Sequence, residues 1–128
     1  MQHLLILILL TPCFAYAETS ICYGTTANGR LVGGVQLPAE GDNYVGYSGI
    51  GRLAGRTYVH SEVKIIIEKA YAALAIEQPD KFFKYAETGF AEGGKFRPHK
   101  THQNGLSADF MVPVLTANNR RCTCPPTP

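Results

Sequence analysis

The chain has little charge of either sign to spare: lysine and arginine outnumber the acids by only two among 128 residues. A surplus that small does not argue for nucleic acid as a partner, which is held by phosphate-neutralising lysine and arginine, though it is compatible with an anionic cell wall. Long hydrophobic runs are scarce as well. The unbroken run Leu4 to Leu10 is too short to cross a bilayer as a helix. Histidine is the third scarcity, with four in all and none after Asp109. Chemistry that needs an imidazole must therefore take it from His60, His99 or His102, since His3 lies in the leader. Neither disorder nor a stable membrane span is indicated, because 45% of residues are apolar and 17% charged.

Leu4 to Leu10 is followed by Pro12 and by Ala15-Tyr16-Ala17, a small-x-small pattern before Glu18. Residues 1–17 accordingly read as a signal peptide, and the mature chain is expected to start at Glu18 and to be exported. Leu10-Thr11-Pro12-Cys13 has the outline of a lipobox, but proline directly before the cysteine suits lipidation poorly. Three cysteines remain, Cys22, Cys122 and Cys124. In an oxidising compartment Cys22 can pair with either of the other two. A zinc reading of Cys122-x-Cys124 is weaker, because one intervening residue is short for a ligand pair.

Residues 18–117 are expected to form one small α+β domain, with residues 118–128 an irregular tail. Cys22 to Gly55 is rich in glycine, with short strands at Leu31-Val32 and Val35-Gln36-Leu37 and turns at Asn28-Gly29 and Gly33-Gly34. Tyr44, Tyr47 and Tyr58 are candidates for a cleft lining or for ordinary packing. Ser61 to Gln78 is the clearest helix: Val63, Ile66, Ile67, Ala70, Tyr71 and Leu74 form one apolar stripe. Ser61 is the expected cap, Pro79 the stop, and His60 is expected to face solvent. Lys81 to Thr88 reads as a strand ended by Gly89.

The densest chemistry lies between Gly93 and Leu115, where His99, His102 and Asp109 fall within eleven positions. Seven residues of straight strand would hold His102 and Asp109 roughly 23 Å apart. A helix would still leave about 10 Å. The chain must turn between them to serve one metal ion, and Asn104-Gly105 is a hairpin signal. Such a hairpin brings His102 and Asp109 to one face and turns Leu106, Ala108, Phe110 and Val112 to a buried one. Arg97 and Lys95 either stay solvated or hold a peptide carboxylate by charge-assisted hydrogen bonds. His60, Glu87 and Glu92 are the remaining candidates for a third ligand or base, and no spacing ties them to the motif.

Thr101-His102-Gln103-Asn104-Gly105-Leu106-Ser107-Ala108-Asp109 resembles the [ST]-H-x-x-G-x-x-x-D signature of the lysostaphin, D-Ala-D-Ala peptidase and hedgehog-like superfamily. Within it the string is most similar to penicillin-insensitive murein endopeptidases, with Thr101 in place of serine and Ser107 in place of an aspartate. The resemblance implies a small antiparallel sheet with one main helix. It implies zinc as cofactor, His102 and Asp109 as ligands and His99 as an accessory one. The implied activity is hydrolysis of peptide cross-links in peptidoglycan, in the periplasm. Relatives take a further ligand and an assisting histidine from a downstream H-x-H region that has no counterpart here. The chain is therefore expected to be C-terminally truncated and inactive or nearly so. The alternatives are an exported metal- or wall-binding protein without catalysis and a disulfide-stapled interaction protein.

Overall fold

The computed structural model describes residues 19–112. The expected signal peptide, the tail and the cysteine partners of Cys22 lie outside the described residues. Eight short strands and two helices form a mixed α+β domain. β1 (Ile21–Thr25) and β2 (Asn28–Val32) make a hairpin. Its turn falls at Thr26-Ala27, whereas Asn28-Gly29, expected as the turn, opens β2. β3 (Val35–Gln36) pairs antiparallel with β6 (Tyr58–Val59). β4 (Glu40–Gly41), β5 (Tyr44–Gly46), β7 (Phe83–Tyr85) and β8 (Phe110–Met111) form the largest sheet in that order. Pairing is antiparallel except between β5 and β7, which run parallel because the chain crosses over through the helices between them.

Between β5 and β6 lies the short α1 (Gly49–Leu53), and between β6 and β7 the long α2 (Ser61–Glu77). The cap of α2 is one residue earlier than expected. His60 Nδ1 accepts from the Glu62 N–H at 3.2 Å. Ser61 is instead tied to Ser20, each backbone N–H donating to the other's hydroxyl. Of the expected stripe, Ile67 and Tyr71 are buried and Val63 and Leu74 pack beside them, but Ile66 and Ala70 are exposed. The sheet under α2 is only a few residues wide, so the helix buries a narrower stripe than its apolar pattern spans.

Leu37, Tyr44, Val59, Ile67, Tyr71 and Tyr85 make the core. Tyr44 and Tyr71 stack with ring centroids 4.3 Å apart, which makes Tyr44 a packing residue. The Tyr85 hydroxyl, carried into the core, donates to the Pro38 carbonyl at 2.6 Å. The stretch read as a strand from Lys81 to Thr88 is regular only over β7, and Phe82 is exposed.

No hairpin forms at Asn104-Gly105. Residues 101–109 are irregular, and the chain reverses by bends, with His102 at φ 71° and Gly105 at φ 76°. The Asn104 side-chain oxygen accepts from the Leu106 N–H at 3.3 Å, a local bond that competes with a two-stranded turn. The expected inward face is accordingly lost. Ala108 packs on the core, while Leu106, Phe110 and Val112 are exposed. Among the described residues no helix is long and apolar enough to cross a membrane.

The buried positions carry the stability. Leu37, 1% exposed, should cost about 2–5 kcal/mol on substitution by alanine. Ile50, 79% exposed on α1, should cost no more than about 0.5 kcal/mol. Denaturant midpoints of the two variants check the contrast.

Candidate metal centre

Asp109 sits where β8 begins and is fixed by its backbone. Its N–H donates to the Glu87 carbonyl at 3.1 Å, and its own carbonyl accepts from Ala86 at 2.7 Å. The β7–β8 pairing thus extends past both strands as a bulge, in which Ala86 and Glu87 together face Asp109. Thr88 follows, with its hydroxyl donating to the Tyr58 carbonyl. The Thr88 carbonyl meets His102 Nδ1 at 3.1 Å. A carbonyl only accepts, so Nδ1 carries the proton and the lone pair of His102 is on Nε2.

That Nε2 lies 3.4 Å from Asp109 Oδ1, and His99 Nδ1 lies 3.8 Å from Asp109 Oδ2. One ligand atom from each of His99, His102 and Asp109 falls within 4.8 Å of the other two. Ligand atoms about 2.0–2.2 Å from a tetrahedral zinc ion lie roughly 3.3–3.6 Å from one another. Two imidazoles and a carboxylate are also a donor set that zinc accepts, so the three side chains can hold such an ion with small adjustments.

Burial divides them. His102 is 3% exposed, whereas the Asp109 side chain is 45% exposed and opens the site to solvent. His102 also holds a left-handed backbone, an uncommon conformation for a side-chain-bearing residue, and one found where function constrains the chain. Its neighbours are shaped to it. A Cβ added at Gly89 would stand 2.9 Å from the His102 carbonyl oxygen, closer than packed atoms allow. Gln103 is pinned in turn by its N–H to the Thr26 carbonyl in the β1–β2 turn.

Around His99 lies a charged network that the motif does not contain. His99 Nε2 is 2.8 Å from Glu87 Oε2. Glu87 also accepts from Arg56 through both oxygens and from the Tyr47 hydroxyl at 2.6 Å. The Arg56 guanidinium lies over the Phe96 ring, 4.1 Å from its centroid, and donates to the Arg97 carbonyl at 2.8 Å. Arg56 hydrogen bonds outweigh burial and, with Tyr47 and His99, bring Glu87 down to about 2. Tyr47 is pushed up by its burial and by its bond to Glu87.

All three residues nominated as ligands from the sequence thus come together, His102 at 3.4 Å and His99 at 3.8 Å from Asp109. Arg97 and Lys95 have exposed side chains on the adjoining loop, and only the Arg97 backbone joins the network. Of the other candidates, Glu87 lies beside the site, His60 caps α2 and Glu92 is exposed. Glu87, Arg56, Tyr47 and Thr88 left no spacing signal, because they come from three separate stretches of chain.

Residues 22–124 match the penicillin-insensitive murein endopeptidases. The chain belongs to that family. No curated protein matches it. The family match takes in every member of the His99, His102 and Asp109 cluster and of the Glu87 network.

A depressed carboxyl gives its stability above its ordinary value of 4.5 and surrenders it as the pH falls toward about 2. The urea midpoint should therefore drop across that window. In Glu87→Gln the drop should be shallower, as fluorescence-detected unfolding at a series of pH values will read.

Proposed function

We propose that this member of the murein endopeptidase family is a zinc-dependent endopeptidase that hydrolyses peptide cross-links of peptidoglycan. The observation that carries the reading is the meeting of His99 Nδ1, His102 Nε2 and an Asp109 carboxylate oxygen in a chain of this family. Zinc held by His99, His102 and Asp109 would supply a Lewis acid for the scissile carbonyl and would lower the pKa of a water to about 7.

The chain's own residues do the rest. His102, buried and bonded to Thr88, is the rigid ligand. Asp109, on the open side, leaves room for an extended peptide to approach. Lys95, Arg97 and Lys100 are exposed around His99 and suit the carboxylates of wall peptides by charge-assisted hydrogen bonds. Glu87 does not serve as general base, because its oxygens are already taken by Arg56, Tyr47 and His99 and it stays ionised. The apolar run before Ala15-Tyr16-Ala17 supports export, with the periplasm as working compartment.

The parent chain should retain about one zinc per chain after dialysis, and His99→Ala, His102→Ala and Asp109→Ala should each lose it. Equal zinc in parent and variants would overturn the ligand set. With cross-linked muropeptides, turnover well below that of family members carrying the downstream H-x-H region is expected, abolished by a chelator and restored by zinc. Zinc binding without turnover would favour a wall-binding protein that does no chemistry.

A further inference from the structure

A carboxylate that is mostly withdrawn from water needs a partner for each of its acceptor positions, of which two oxygens offer about four. Glu87 has four donors directed at it. Arg56 Nε and the Tyr47 hydroxyl meet Oε1, while Arg56 Nη2 and His99 Nε2 meet Oε2. Three of these four groups are fixed as donors or already donate. The fourth, His99 Nε2, is an imidazole nitrogen that either carries a proton or presents a lone pair. At 2.8 Å from an ionised oxygen a lone pair would be repelled, so the nitrogen must carry the proton.

We infer that Glu87 is the positioning residue of the metal centre, holding His99 with its proton on Nε2 so that the Nδ1 lone pair is the one presented beside Asp109. This deepens the zinc reading above and rests on it. Position follows from the same contacts. Glu87 is itself set by the backbone bond from Asp109 to its carbonyl, so one residue fixes the spacing between the Asp109 main chain and the His99 ring. Arg56 and Tyr47 then stop the Glu87 side chain from turning away. Thr88, the next residue, does the same for His102 through its carbonyl. Two consecutive residues after β7 thereby orient two imidazoles in opposite senses, His99 to offer Nδ1 and His102 to offer Nε2. An outer partner of this kind raises ligand basicity as well as setting its direction.

The test reads the ring directly and does not depend on turnover. Long-range proton–nitrogen correlation spectra of the full chain, metal-free and near neutral pH, should show His99 with a protonated-type Nε2 and an unprotonated-type Nδ1. In Glu87→Gln the amide can turn its NH2 toward His99, and both tautomers should then be populated. Zinc affinity, measured by chelator competition, should fall about 10- to 100-fold while the circular dichroism of the metal-free variant stays that of the parent. Finding His99 in the parent with its proton on Nδ1 would overturn the inference. So would an affinity within about twofold of the parent in a folded Glu87→Gln. The parent spectrum needs no variant, so it decides the matter even if Glu87→Gln does not fold. A parent that binds no zinc while His99 holds its proton on Nε2 would sink the metallopeptidase reading and leave the Glu87 contact standing.

Discussion

The continuation of the β7–β8 ladder through Ala86, Glu87 and Asp109 is the constraint on which the rest of the site depends. Two backbone hydrogen bonds there bring together the acidic residue just after β7 and the one just before β8. The next residues exploit the same fixed point. Thr88 reaches both β6 and His102, and Gly89 leaves room where the Tyr58 and His102 carbonyls come close to it. A three-residue stretch with no regular structure of its own thus joins the sheet, the strand before α2 and the histidine loop.

Rigidity is distributed unevenly around that stretch, in a way that suits a hydrolytic metal centre. His102 is buried and bonded at its far nitrogen, with a backbone conformation that its surroundings enforce. His99 is held through a network anchored on Arg56, whose own guanidinium is fixed between Glu87 and the Phe96 ring. Asp109 has a fixed main chain and a solvated carboxylate. Metal sites gain affinity from outer partners that keep ligands in place, and the open side leaves a position for substrate or water.

The N-terminal section has a larger part than its glycine-rich composition announces. Tyr47 sits just after β5 and donates to Glu87, and the β1–β2 turn receives the Gln103 N–H. Ser20 locks onto the start of α2 through reciprocal hydrogen bonds. These are contacts between residues far apart in sequence, so nothing in local spacing foretells them.

By itself the sequence determined the main helix, because a 3.6-residue apolar period ended by proline is a local property. It determined the cluster of His99, His102 and Asp109 as well, since three candidate ligands fall within eleven positions. Tertiary structure alone decided how that stretch reverses. Asn104-Gly105 carries a strong hairpin signal, yet the Asn104 side chain bonds locally to Leu106, and the Gly105 carbonyl accepts from the His60 N–H instead of from a partner strand. It alone decided that Glu87 stands against His99, because strand pairing, not sequence distance, sets which residues become neighbours. His60 makes the same point from the other side: an imidazole is recognisable as a candidate ligand in any sequence, and only the fold makes it the cap of a helix.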